Sequence, residues 1–230
     1  MSAEERRTVC HRDCPDACGI IATVEDGRVT KLSGDPAHPL TRGFLCHRTN
    51  HFLKTQYSPA RLTTPLLKRR GAFEPISWDA ALELAAERLL DTRAKHGAVS
   101  IFHYLSGGNV GMLSCLTPYF FSLFGPVTTK RGNICDGAGL EAQVRDFGVS
   151  DSVEIEELLH ARSILLWGKN VVVSSPHLVP LLREARARGT SLTLIDPLWQ
   201  ETAKLCHEQV QPRPGGDFAL AMAVAGLLFE

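Results

Sequence analysis

The sequence lacks net charge: 25 Lys and Arg balance 25 Asp and Glu over 230 residues. A neutral chain has no bulk electrostatic pull toward nucleic acid or an anionic membrane surface. The run Lys68-Arg69-Arg70 reads as a solvated loop rather than a binding patch. No apolar run approaches the ~20 residues of a membrane-spanning helix. Arg6-Arg7 have no apolar stretch behind them, so the start reads as neither a secretory nor a twin-arginine signal. The expected location is therefore cytoplasmic, unless a partner carries the chain out. In that compartment the seven cysteines do not read as a disulfide framework. Clustered ones read as metal ligands or redox groups. Internal repeats and low-complexity segments are also missing. What remains is ordinary globular material, 44% hydrophobic and long enough for one large domain or two small ones.

The coarse pattern is α/β. Residues 19–33 predict a β-hairpin, because β-branched and apolar residues flank Asp26-Gly27. A Pro/Gly-rich loop over 34–43 follows, and then an irregular, proline-punctuated stretch to about Pro75. Residues 77–97 predict a helix capped by Ser77, with Asp79 in its first turn and Gly97 at its end. Its apolar face is Ala81, Leu82, Ala85, Leu89 and Leu90. Residues 98–104 predict a buried strand, 106–109 a glycine loop, and about 111–124 a helix. Helices at about 153–160 and 177–188 alternate with apolar strands at 163–168 and 191–196, which implies parallel pairing. A last helix starts at Asp217, and the sequence stops at Glu230 inside that apolar run. The expectation is a fragment, a split-gene product or half of a larger fold.

Three cysteines stand at equal steps, Cys10, Cys14 and Cys18, and a fourth, Cys46, follows the hairpin. Structural zinc usually takes two paired knuckles. A three-plus-one pattern suits a cubane [4Fe–4S] cluster, with one thiolate per iron. Pro15 argues against the first three lying on one regular helix. Zinc, or cysteines that bind nothing, remain the other readings of the spacing. Cys115 and Cys206 read as core or incidental.

These words, "CxxDCPDxCG", "GDPxHPxTRGFLC", "YSPARL" and "ISWDAAL", occur in order and resemble the start of the molybdopterin oxidoreductases of the DMSO reductase family. The resemblance runs over essentially the whole chain, although those enzymes are several times longer. It implies that Cys10, Cys14, Cys18 and Cys46 hold a [4Fe–4S] cluster. It implies that Arg48, where the family often has lysine, bridges cluster and pterin, with His47 in place of the usual proline. "RGNICDGAG" (131–139) places Cys135 where many members ligate molybdenum, with Asp136 as an alternative ligand. "WGKN", "IDP", "ETA" and "RPGGD" look like guanine-dinucleotide contacts, at Gly168, Asn170, Asp196, Thr202 and Asp217. Leu198, Trp199, Gln200 and Gly216 depart from the residues common there.

The resemblance also implies an architecture. A small N-terminal [4Fe–4S] domain with a hairpin (1–65) precedes incomplete doubly wound α/β layers, over 66–131 and 132–230. The implied activity is that of an oxidoreductase, or its N-terminal part. Molybdenum would cycle between Mo(VI) and Mo(IV) in bis(molybdopterin guanine dinucleotide), exchanging electrons with the cluster. Expected partners are a small-molecule substrate and an electron-transfer subunit or the rest of the fold, with no nucleic acid and no direct membrane insertion. The alternative is a non-catalytic iron–sulfur module for electron transfer or subunit interaction. Cys135 and the dinucleotide words separate the two, because an electron carrier has no need of them.

Overall fold

The computed structural model describes residues 3–107 and 111–230. Half of the glycine loop read at 106–109, residues 108 and 109, lies outside them. The chain forms two compact units, each assembled from separated stretches. The first comprises the start up to Asp13, Ala22–Leu32 and His47–Asp151, and the second Cys14–Ile21, Ser33–Cys46 and Ser152–Glu230.

The chain begins with β1 (Glu4–Val9), β2 (Gly19–Glu25) and β3 (Arg28–Gly34), a three-stranded sheet with β2 in the middle. The turn between β2 and β3 is the expected one. Asp26 and Gly27 have φ of 50° and 74°. Two consecutive left-handed residues match the twist of a tight hairpin. Two short helices follow, α1 (His47–Asn50) and α2 (Phe52–Gln56). The stretch read as irregular holds a second hairpin, β4 (Leu66–Arg69) and β5 (Ala72–Pro75), paired antiparallel. Its turn is Arg70-Gly71, also left-handed at both residues, with φ of 47° and 87°. Arginine is not a customary first residue for such a turn, so the sequence signal was weak. The basic run is exposed as expected, but Lys68 and Arg69 sit in a strand.

Helix α3 (Trp78–His96) matches its sequence signals. Ser77 Oγ accepts from the Ala80 N–H at 3.1 Å, and Gly97 ends the helix at φ 80°. The buried strand expected at 98–104 does not form. Residues 98–100 make a 3₁₀ turn instead, and only β6 (Phe102–His103) is extended. Ser100 donates its hydroxyl to the Gly97 carbonyl at 2.8 Å, a local bond that competes with strand pairing. Phe102 is 56% exposed. After a 3₁₀ turn at Met112–Cys115 come α4 (Leu116–Phe124), β7 (Thr128–Thr129), which pairs parallel to β6, and α5 (Gly137–Phe147). Helix α5 carries Gly137 and Gly139 in its first turn, residues that weaken helix propensity and hid it from the sequence pattern. None of the described residues from 50 to 163 is buried.

The second unit has the alternation that the sequence predicts. A 3₁₀ segment (Ile155–His160) stands in place of the expected helix. Then come β8 (Ser163–Trp167), α6 (Val171–Ser174), α7 (Leu178–Ala187), β9 (Ser191–Ile195), β10 (Glu208–Val210) and α8 (Asp217–Phe229). The three strands form one parallel sheet in the order β10-β9-β8. Ile164, Leu166, Leu192 and Leu194 pack with Leu182 and Ala185 of α7 into the core, which also takes in Val171 and Cys206. Burial in β8 alternates, and Leu165 is 60% exposed, so the strand is covered on one face only among the described residues. No helix of the described residues is long and apolar enough to cross a membrane.

Leu194→Ala should destabilise the second unit by about 2–5 kcal/mol, because a fully buried side chain leaves a cavity. Leu165→Ala, one strand away on the exposed face, should cost within about 0.5 kcal/mol. Urea unfolding followed by circular dichroism separates the two, and equal costs would contradict the one-sided burial.

Candidate functional site

Parallel pairing sends the carboxyl ends of β8 and β9 to the same edge. Trp167 lies in register with Ile195, so Gly168 and Asp196 begin neighbouring loops. Gly168 has φ 59° and donates its N–H to the Ile195 carbonyl at 2.8 Å. Among the described residues, no atom beyond its own chain neighbours lies within 4 Å of where a Cβ would stand, so the turn has room there.

The other nucleotide candidates converge on this edge. Asn170 caps α6, its Oδ1 accepting from the Val173 N–H at 3.3 Å and from Thr202 Oγ1 at 3.2 Å. Thr202 is fully buried. Asp196 accepts the Leu198 N–H at 2.8 Å through Oδ1 and the Gln200 amide at 2.5 Å through Oδ2. Asp217, at the start of α8, accepts the Trp167 indole N–H at 2.7 Å. Gln200, one of the departures noted in the sequence, keeps its Oε1 buried without a hydrogen-bond partner among the described residues. A buried acceptor of this kind on the loop after β9 fits a ligand that brings N–H donors.

Cys14, Cys18 and Cys46 belong to this same unit, and Cys10 to the first. Cys18 is 4% and Cys46 6% exposed. Between Cys14 and Cys18 the chain turns back on itself: the Ala17 N–H reaches the Cys14 carbonyl at 3.5 Å, and Ala17 has φ 40°. These residues form a loop, as Pro15 suggested. The returning segment is fixed by a close approach, since a Cβ on Gly34 would fall 2.1 Å from the Gly43 carbonyl oxygen. No disulfide joins any of the seven cysteines. Among the described residues no three His, Cys, Asp or Glu side chains are placed to share one metal ion. A cubane makes a different demand, one thiolate on each iron.

In the first unit, Cys10 Sγ lies 3.6 Å from Oγ1 of Thr49, a fully buried residue of α1. Arg48, beside it in α1, is half-buried. Cys135 is exposed in the turn before α5 and donates its backbone N–H to Asn133 Oδ1 at 3.0 Å. Asn133 also bonds the Asp136 carboxylate. Cys206 is part of the core, as expected, and burial pushes its thiol pKa up.

Sequence reasoning missed Asp16 and His177. They are 161 residues apart, and no local signal joins them. In the fold, His177 Nδ1 meets Asp16 Oδ2 at 2.5 Å, with both side chains 5% exposed or less. The other ring nitrogen, Nε2, lies 3.2 Å from the Phe44 carbonyl and 3.5 Å from Cys18 Sγ. Burial alone opposes both charges. For Asp16 it is outweighed by the His177 hydrogen bond and charge, a hydrogen bond from Cys14 and the charge of Lys169, so the carboxyl sits below its usual range. For His177 it is outweighed by the Asp16 hydrogen bond, the Phe44 carbonyl and the charges of Asp16 and Cys46, so the imidazole sits above its usual range.

Replacing either partner alone leaves the other buried and unpaired. Asp16→Ala or His177→Ala should each cost about 3–5 kcal/mol, and the double variant clearly less than the sum. Additive costs in a double-mutant unfolding cycle would mean that the two side chains are not coupled.

The sequence model of the molybdopterin oxidoreductase family matches residues 61–230, and that of the molybdopterin oxidoreductase Fe4S4 domain matches residues 3–58. The probable oxidoreductases YyaE and YoaE of Bacillus subtilis are 37% and 35% identical over 97% of this chain and 34% of their own length. The alpha chain of the F420-dependent formate dehydrogenase of Methanocaldococcus jannaschii is 29% identical over 97% of this chain and 33% of its own length. The chain thus spans about a third of the length of the curated relatives it matches. The fold is shared with acetylene hydratase from Pelobacter acetylenicus, with a TM-score of 0.58 and 21% identity over 90% of this chain and 29% of that one. Cysteine loop, parallel sheet and family matches agree: the chain belongs to the molybdopterin oxidoreductase family, as an N-terminal portion that opens with the Fe4S4 domain.

Proposed function

We propose that this chain is the N-terminal part of a molybdenum-dependent oxidoreductase. In this reading Cys10, Cys14, Cys18 and Cys46 hold a [4Fe–4S] cluster, and the carboxyl edge of the parallel sheet holds a guanine dinucleotide arm of Mo-bis(molybdopterin guanine dinucleotide). The observation that carries it is the gathering of Gly168, Asn170, Asp196, Thr202 and Asp217 on that one edge. A pure electron-transfer module has no need of such an edge.

The donor sets fit the groups. Four thiolates are the ligand set of a cubane cluster. The Gly168 turn leaves room for close approach of a diphosphate. Asp196 and the orphan Gln200 oxygen are acceptors suited to guanine or ribose donors. When bound, the cofactor supplies two-electron redox chemistry and the cluster one-electron transfer. The chain's own residues bind and orient these groups. Asn170 and Thr202 hold each other in place. Arg48 supplies a cation within the cluster domain, on the proposed path between cluster and pterin. Cys135, on its glycine-flanked turn, is the proposed protein ligand to molybdenum.

The division into a cluster domain (1–65) and two incomplete layers (66–131 and 132–230) belongs to this reading, as does a cytoplasmic location. The formate dehydrogenase relative is named as one subunit of its enzyme, and so is the sulfite dehydrogenase relative from Allochromatium vinosum. We extend this to an electron-exchanging partner protein here. The substrate is a small molecule chosen mainly by residues outside this stretch.

Protein purified without oxygen should carry roughly four irons per chain, molybdenum, and guanine nucleotide released by acid. Cys14→Ser or Cys18→Ser should abolish the broad visible absorption of the cluster. Cys135→Ala should keep the iron and lose turnover. Zinc in place of iron, surviving anaerobic reconstitution, would sink the cluster assignment.

A further inference from the structure

Resting on the assignment of Cys18 and Cys46 to a [4Fe–4S] cluster, we infer that His177 is a positioning and potential-setting residue for that cluster, its Nε2–H donating to the Cys18 thiolate. The partners around the ring decide where the hydrogens are. Nε2 faces the Phe44 carbonyl at 3.2 Å and Cys18 Sγ at 3.5 Å. A carbonyl only accepts, and so does a metal-bound thiolate, so Nε2 carries a hydrogen. Nδ1 faces the Asp16 carboxylate at 2.5 Å and donates there. The Phe44 ring meets the imidazole edge-on, with centroids 4.7 Å apart, and fixes its plane.

The arrangement reaches one buried cysteine sulfur and the segment that carries the other. One N–H is shared between Cys18 itself and the carbonyl of Phe44, two residues before Cys46. Asp16 lies between Cys14 and Cys18 on the same loop, so His177 grips that loop from a sequence position 161 residues away. Hydrogen bonds to cluster sulfurs set the reduction potential. Reduction adds electron density to the sulfurs, so a donor stabilises the reduced cluster more than the oxidised one. His177 therefore holds the potential above the value that the thiolates alone would give. Asp16 and His177 are neutral as a pair, so the N–H···S bond rather than net charge carries the effect.

The test is an EPR-monitored redox titration of the anaerobically purified, cluster-loaded protein. Two double variants remove both charges together. Asp16→Asn with His177→Phe keeps a flat ring but no donor, and Asp16→Asn with His177→Gln keeps an N–H. The expected result is full iron in both, a midpoint potential more negative than wild type in the phenylalanine variant, and recovery toward wild type in the glutamine variant. Iron-loaded variants with an unchanged potential, or with the same shift in both, would overturn the role. So would loss of iron from both in parallel with loss of folded structure, which makes His177 a structural anchor only. The wild-type iron content is read first: wild-type protein without iron overturns the cluster assignment itself, separately from the role of His177.

Discussion

Parallel pairing of three short strands is the constraint on which the rest of the second unit depends. Parallel strands need a crossover between them, and the crossover brings α7 back over the sheet. That covering buries Leu182 and Ala185 against Ile164, Leu166, Leu192 and Leu194. The same pairing puts every β-to-loop exit on one edge. Gly168 and Asp196 begin neighbouring loops for that reason, and Thr202 and Asp217 join them through Asn170 and Trp167; the carboxyl edge is where open α/β sheets usually place ligands.

The buried Asp16–His177 pair works against a different difficulty. A loop of cysteines, proline and aspartate has few apolar groups of its own to hold it. Two charges taken out of water are costly unless they face each other and their remaining polar atoms are met. Here the carboxylate has the imidazole, the imidazole has the Phe44 carbonyl and Cys18, and both side chains are almost completely enclosed. The pair ties the cysteine loop to the start of α7.

The first unit shows the opposite balance. Its helix α3 is well capped, yet none of its residues is buried, and Trp78 and Leu82 are more than 60% exposed. Phe73, Met112, Tyr119 and Leu123 are similarly open. Isolated exposed apolar residues are ordinary, but this many in one unit is not. The chain spans about a third of the length of the curated relatives it matches.

Much was legible in the sequence because it is set locally. Asp26-Gly27 makes a hairpin turn, Ser77 and Gly97 bound a helix, and apolar strands alternating with helices pair in parallel. These depend on backbone preferences and periodicity within a few residues. The even spacing of Cys10, Cys14 and Cys18 is likewise visible within a few residues of sequence. The errors have local causes too. Ser100 turned an apolar run into a 3₁₀ turn, Arg70-Gly71 hid a hairpin, and two glycines hid α5. Only the tertiary structure decided which faces were covered, that Asn170 meets Thr202, and that His177 closes on Asp16 beneath Cys18. Those meetings are between residues 32 and 161 positions apart. No propensity or period carries such information, because the fold of the intervening chain alone sets the distance.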